Sequence, residues 1–547
     1  MNFMRNETAA KLRGGYYTPP DLAHFLARWV AQGHPQTILE PSCGDGVFFA
    51  ALEDAGVGPA RIAAFELDAL EAAKAMERAR TLTAEVTVNN RDFLGWALDQ
   101  LHKGGNRFDA VVGNPPFIRY QYLPPHFQGA AAKVFSTLAC KFTKHTNAWV
   151  PFILASVAML RPGGRLAMVV PSEIIHVLHA QSLRTFLGEA CRRLVIVDPE
   201  EIWFEDTLQG AVLLMAEKKQ NVSDKTEGLG LVPVRGRAFL KGDPGALFEQ
   251  AKAINGRTVE GKWTRAFLDV TVRDLLDEAE ALPSVHRFRD IADVDVGIVT
   301  GANKFFLVDD ETVETHGLQQ WAHPMFGRSE HCPGVIYDKK QHRANGKAGL
   351  PSNFLWFPEH IAEEEPNVAA YVLTGVEEDL HTRYKCRIRK PWYTVPSVYA
   401  TGIGMLKRSH NVPRLILNKA EAYTTDTAYR IQTLGIHAET LVGAFVNPLT
   451  ALSAELEGRT YGGGVLELVP SEIEKLLVPV PADTAVDVRA LDFAVRNSSM
   501  DDVLAGYGRG ILAAIGLSQA QHSVLLDAWS RLRNRRQRIA EDEIIEI

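Results

Sequence analysis

Cysteine is scarce in this 547-residue chain: Cys43, Cys140, Cys191, Cys332 and Cys386 stand far apart, and no Cys-x-x-Cys pair occurs. That excludes a disulfide scaffold and a structural zinc module, leaves no metal centre to expect, and fits a reducing cytoplasm. No run of about 18 apolar residues is present, so no membrane-spanning helix and no membrane partner are expected. The opening residues, MNFMRNETAAKLRGGYY, lack the apolar core of a secretory signal. Nor is there an excess of positive charge. Lys and Arg number 59 against 66 Asp and Glu, a formal net charge of -7, which on average discourages contact with a polyanion. Internal repeats and low-complexity tracts are missing too. What remains, at 46% hydrophobic and 23% charged residues, is the composition of a globular enzyme.

The first 220 residues alternate β-branched apolar runs with helix-like stretches, the pattern of βαβ units on a parallel sheet. The runs are TILE (37–40), RIAAFELD (61–68), EVTVNN (85–90), FDAVVGN (108–114), RLAMVVP (165–171), RLVIVD (193–198) and GAVLLMAE (210–217). They predict a seven-stranded, doubly wound, Rossmann-like α/β domain over 1–280. Ligands of such sheets sit at the carboxyl ends of the strands. Residues 218–285 are more polar and read as the domain's end and a connection. From about 286, short β-like runs (VGIVTGANKFFLV, RLILNKA, TAYRIQTL) alternate with Pro/Gly-rich loops, with few clear helices before the 440s. This predicts a mixed α+β domain over 285–480, followed by a helical segment over 481–547.

The first run leads into EPSCGDGVFFAAL, a carboxylate followed by Gly44 and Gly46 and then a helix. Small residues there let a ligand approach the backbone at the helix N-terminus, although a tight strand–helix turn needs the same glycines for shape alone. Glu66 ends the second run, where a carboxylate can accept ribose hydroxyls. Asp92 follows the third, placed to accept from an adenine amino group. Each acid alone could be a solvated strand end; three at successive strand ends are harder to dismiss. Upstream, Thr18 precedes two prolines at a helix start and can serve as its cap. This series, with the MLRPGGRLAMVVP turn, resembles the class I S-adenosylmethionine-dependent methyltransferases. The resemblance implies S-adenosylmethionine as cofactor. Glu40 would then face the methionine ammonium through its loop, Glu66 the ribose, Asp92 the adenine ring and Thr18 the methionine end. Ser42, Cys43, Gly44, Leu67 and Phe93 would complete that site, with Cys43 also readable as a small packing residue.

The fourth run ends in VVGNPPFIRY. Two consecutive prolines stiffen the loop and present carbonyl oxygens. The Asn114 side-chain oxygen and the Pro115 carbonyl can both accept from one exocyclic NH2. That draws the nitrogen toward tetrahedral geometry and localises its lone pair. Pro116 completes the stiff turn, and Phe117 offers a stacking face to a planar substrate. A Pro-Pro turn after a strand is the plainer alternative. The tetrapeptide resembles the [DNS]PP[YFW] loop of amino-methyltransferases, which act on N6 of adenine, N4 of cytosine, N2 of guanine in RNA, or the glutamine amide. Asn leans away from the cytosine-N4 enzymes. A carbon-5 cytosine enzyme needs a Pro-Cys dipeptide, and none occurs. Trp203 and Phe204 precede the last run; by the same resemblance Phe204 would close the other face of an extruded base, with a core aromatic as the alternative.

Between Asp379 and Glu421 no acid occurs, yet nine bases do: Arg383, Lys385, Arg387, Arg389, Lys390, Lys407, Arg408, Arg414 and Lys419, interleaved with Tyr384, Trp392, Tyr393 and Tyr399. This reads as a phosphate-tracking surface; RYKCRIRK could instead be the solvated face of an edge strand. The motifs VGIVTGANKFFLV, HPMFGRSE, RKPWYTVP, LNKAEAYTTDTAYRI and YGGGVLELVPSEIEKLLVP resemble the specificity domain of TaqI-like, gamma-class N6-adenine DNA methyltransferases, and the order of cofactor loop, NPPF and recognition domain matches. Phe117 departs from the Tyr of many relatives. The resemblance implies a site-specific enzyme that flips adenine from duplex DNA and methylates N6. Lys304, Arg389, Lys390, Trp392 and Lys419 would be DNA contacts. The partners expected are double-stranded DNA and a separate cognate restriction endonuclease, with no nuclease fused to the chain and a monomer sufficing. A protein glutamine or RNA guanine methyltransferase, or a DNA-binding module with a degenerate enzyme domain, are the rivals. SRLRNRRQR is either a solvated helix face or a further DNA contact.

Overall fold

The computed structural model describes residues 17–537, apart from 59, 105–106, 119–122, 144–145, 200–209, 255–261, 462 and 482–485. The chain divides into two units, Met1–Phe267 and Leu268–Ile547. The division falls before the expected 280–285 boundary because helix Val270–Glu280 buries Val272, Leu275, Leu276 and Ala279 in the core of the second unit.

The strands of the first unit are β1 Thr37–Glu40, β2 Arg61–Phe65, β3 Glu85–Asn89, β4 Phe108–Gly113, β5 Leu160–Pro171, β6 Cys191–Pro199, β7 Ala211–Lys218, β8 Gly228–Val234 and β9 Ala253–Ile254. Among the described residues they form one sheet of order β3-β2-β1-β4-β5-β7-β6-β8-β9. Strands β1 to β5 run parallel, and β7 is antiparallel between β5 and β6. All seven expected runs are strands. The correction is that the sheet has nine, because β8 and β9 extend it where the sequence reads as a connection. GLGLVPV is interrupted by glycines and Pro233. It tolerates that proline because β9 pairs only with Leu229 and Gly230, leaving the rest of that side an open edge.

Helices cover both faces. Alternation along the strands sends Leu39, Val111, Leu166 and Met168 to one face, against helices that include Trp149–Met159. Ile38, Ala110, Val112 and Ala167 go to the other, against α1 (Pro20–Ala31) and α2 (Val47–Asp54). Further along come α3 (Ala69–Ala79) and α4 (Phe93–His102). Strand order reverses at β1 and β4, so the crevice for a ligand opens at their carboxyl ends.

In the second unit a five-stranded sheet carries Ala292–Val296, Ala428–Thr433, Ile403–Leu406, Leu415–Asn418 and Ile336–Tyr337 in that order. A four-stranded sheet carries Leu307–Val308, Asn353–Leu355, Ala322–Phe326 and Tyr423–Thr424. Helices occur before the 440s after all: Pro366–Glu377 buries Val368, Tyr371 and Val372, although its Val, Thr and Gly residues weaken the helical pattern. The stretch after 481 is no separate segment. Leu491, Leu504, Leu525 and Trp529 of its helices share one core with Ile403, Leu415 and Ile431.

Candidate active site

β1 lies between β2 and β4, so its last residue is walled in on both sides. Glu40 is 0% exposed, and neither carboxylate oxygen meets a hydrogen-bond donor. Burial first, then the charges of Asp45 and Glu66, push its carboxyl well above the usual carboxylate range, with Arg78 opposing. Arg78 is itself held by Asp45 at 2.9 Å. A buried acid without a partner, among other acids, is a place for a cation, and the ammonium of S-adenosylmethionine fits that requirement. Cys43 is buried beside it, its thiol raised by desolvation and by Glu40 and Glu66; it is a packing residue whose N–H donates to the Phe65 carbonyl at 2.9 Å.

The loop turns through Gly44 (φ +52°) and Gly46 (φ +84°). At Gly46 an added Cβ would meet the Phe49 ring at 2.7 Å, so only glycine fits. Glu66, just past β2, accepts from the Gly44 N–H at 2.9 Å and the Asp68 N–H at 2.8 Å. Burial still raises its carboxyl despite those bonds. Each oxygen keeps lone pairs suited to ribose hydroxyls. Beyond it Leu67 is 56% exposed, an apolar platform at the strand end. Asn90, missed in the sequence, holds this turn by donating to the Glu66 carbonyl at 2.9 Å and the Leu67 carbonyl at 3.1 Å; its only signal was an amide next to the third run.

Asp92 takes on a second role, and the expectation for Phe93 needs correction. Asp92 is first of all the cap of α4, its oxygens accepting from the N–H groups of Leu94 at 3.0 Å and Gly95 at 2.9 Å. Phe93 turns its ring into the core, 2% exposed, against Phe65 and Phe152, so its side chain does not line the crevice.

β4 ends at Gly113, whose φ of +155° and missing Cβ bring Pro41 close: an added Cβ would lie 3.4 Å from the Pro41 ring. The two loops therefore rise side by side. Ser42 Oγ donates to the Asn114 carbonyl at 2.9 Å, and Asn114 Nδ2 donates to Thr18 Oγ1 at 3.2 Å. Pro115 is buried, Pro116 and Phe117 half-buried, and Phe117 also packs on the core. Thr18 is a further correction. The cap position of α1 belongs to Pro19, with no side-chain bond, because Thr18 lies one residue too early and turns its hydroxyl to Asn114. Trp203 and Phe204 lie outside the described residues.

The basic stretch divides. Arg389 donates to the carbonyls of Val299 and Thr300 at 2.6 Å each. Trp392 packs on Phe305, with ring centroids 5.0 Å apart, and Lys419 pairs with Glu439 at 2.8 Å. Arg389 and Trp392 are thereby tied into the scaffold, whereas Lys419 stays exposed in a surface ion pair. Lys407 and Arg408 both face Glu467. Arg414 binds carbonyls of Cys332, Pro333 and Gly334. Lys304, Arg383, Lys385, Arg387 and Lys390 are exposed, as is Tyr384. RYKCRIRK is not an edge strand, since Tyr384–Arg387 is a helical turn.

A doubly wound sheet with an acid ending β1, a second after β2 clamping a glycine loop, and a third after β3 defines a class I S-adenosylmethionine-dependent methyltransferase. Residues 2–229 match the family described as N-6 DNA Methylase, and residues 260–512 match Type II methyltransferase M.Eco57I, C-terminal domain. Residues 2–229 thus carry an N-6 DNA methylase domain, in the gamma-class order of motifs, and the chain is a Type II DNA methyltransferase of restriction–modification type. It is similar to Type II methyltransferase M.AccI of Acinetobacter calcoaceticus, 24% identical over 476 residues covering 84% of each chain. It is also similar to M.XamI of Xanthomonas campestris pv. amaranthicola, 22% identical over 484 residues and 85% of each. Among solved structures, the DrdV–DNA complex aligns with a TM-score of 0.47 at 13% identity, covering 91% of this chain and 57% of that one.

Proposed function

We propose that this enzyme flips an adenine out of duplex DNA and methylates its N6. The observation that carries the reading is Asn114, set at the end of β4 and tied to the cofactor loop by the Ser42 hydrogen bond. The bound cofactor supplies an activated methyl group on a sulfonium. The chain's own residues supply position. Asn114 Oδ1 and the Pro115 carbonyl accept the two amino protons and aim the nitrogen lone pair. Phe117 stacks on the base, and Glu40, Glu66 and Leu67 seat the cofactor. Asp92 keeps lone pairs for the adenine ring besides its cap bonds. Phe204 is the proposed lid on the base's other face.

Extruding a paired base costs a few kcal/mol, and phosphate contacts offset it. The exposed bases Arg383, Lys385, Arg387, Lys390 and Lys304 take that role, with Tyr384 between them, 64% exposed and flanked by Lys385 and Arg387. A monomer paired in the cell with a separate endonuclease suits this arrangement.

Methyl transfer from labelled S-adenosylmethionine to duplex DNA, RNA and protein, with mass analysis of the product, tests the reading. N6-methyladenine in duplex DNA is expected; methylglutamine or N2-methylguanine as the product would replace the reading with a rival. Asn114→Ala is expected to lower single-turnover transfer by about 10²–10³-fold or more while calorimetry still shows cofactor binding.

A further inference from the structure

An asparagine amide can present either its oxygen or its NH2 to an incoming group. Only the oxygen serves as acceptor for a substrate amino group, so the amide must be held one way round. Here Nδ2 of Asn114 donates to Thr18 Oγ1 at 3.2 Å, and the backbone carbonyl of the same residue accepts from Ser42 Oγ at 2.9 Å. Thr18 is 6% exposed, and it precedes Pro19 and Pro20, whose rings fix the chain entering α1. Its hydroxyl is not used to cap that helix. Ser42 sits in the loop between Glu40 and Gly44, whose N–H is clamped by Glu66. The two hydroxyls thus come from separate segments, the residue before α1 and the loop after β1, and converge on one residue of the loop after β4.

We propose that Thr18 and Ser42 are positioning residues for Asn114. Thr18 holds the amide with its oxygen turned toward the substrate nitrogen. Ser42 fixes the height of the loop, so the order of the cofactor loop is passed to the acceptor. This rests on the N6 reading for the identity of the amino group, and its test does not.

Thr18→Val keeps the shape and removes the acceptor; Thr18→Ser keeps the acceptor. At saturating S-adenosylmethionine, Thr18→Val is expected to slow single-turnover methyl transfer by about 10- to 100-fold. The Tm is expected to stay near wild type, and Thr18→Ser to recover the rate to within about 3-fold. Ser42→Ala is expected to slow the same step. If Thr18→Val weakens cofactor binding yet keeps the wild-type rate at saturation, Thr18 serves the cofactor alone and the inference falls. Equal slowing in Thr18→Val and Thr18→Ser overturns it as well, since the hydroxyl would then be immaterial. Should wild type methylate a different amino group while Thr18→Val remains slow and Thr18→Ser fast, the positioning role stands and the N6 reading falls.

Discussion

At the scale of single residues, Glu40 gives the first unit a pH dependence of its own. Its carboxyl titrates well above the usual range because it is buried near Asp45 and Glu66. The folded protein therefore holds that proton at pH values where the unfolded chain has released it. The stability this contributes is present at low pH and is lost as pH rises from the usual carboxylate range through the raised value. Without cofactor, the Tm is expected to fall across that window, and Glu40→Gln to remove that part of the fall in a thermal scan at several pH values. With the cofactor's ammonium seated at Glu40 as proposed, binding is expected to run the other way, because an ammonium needs the charged carboxylate. Affinity measured by calorimetry is expected to drop as pH falls through the same window, and Glu40→Gln to weaken it by about 30-fold or more.

At the scale of elements, the short helix Tyr384–Arg387 and its flanks separate charge that meets solvent from charge that holds the fold. Replacing Arg383, Lys385, Arg387 and Lys390 together with Ala is expected to weaken DNA binding across sequences. Each lost phosphate contact should reduce the slope of log K against log salt by about 0.9. Arg389→Ala is expected to do something else. Its guanidinium ties the carbonyls of Val299 and Thr300, so the loss should appear as a lower Tm with the salt slope nearly unchanged. Titrations at several salt concentrations beside thermal scans separate the two behaviours. The nine bases look alike in sequence because composition does not reveal which acid or carbonyl a chain brings alongside. Glu439 and Glu467 lie outside the acid-free stretch, yet they neutralise Lys419 and Arg408.

At the scale of the whole molecule, the chain forms two units with separate cores. In the second, Arg536 and Glu455 form a buried pair at 2.7 Å. Arg536 also reaches the His410 carbonyl at 3.0 Å, binding the last helix, Gln519–Gln537, to the sheet region. Arg533 lies over the Trp529 ring. The described part of the basic stretch, 530–537, is therefore partly internal instead of a plain solvated face. Arg536→Ala strands Glu455 and is expected to cost about 3–5 kcal/mol in denaturant unfolding of the second unit. Cofactor affinity, which the proposed site places in the first unit, should stay within about 2-fold. A parallel collapse of cofactor binding would mean that the units do not behave separately.

Seven strands of the first sheet, the acids at the ends of β1, β2 and β3, and the stiff loop at Asn114 were legible along the chain, because alternating apolar runs and their end residues are local patterns. The residues themselves determined that a doubly wound sheet would form and where its ligand edge would lie. Tertiary structure alone decided the rest: that Thr18 bonds to Asn114 instead of capping a helix, that Asp92 caps α4, that Phe93 faces inward, and which arginines remain in water. Each of those depends on a partner distant in sequence or on which way a side chain points. A backbone pattern specifies where a residue starts, while packing and the competition for hydrogen-bond partners settle what it touches.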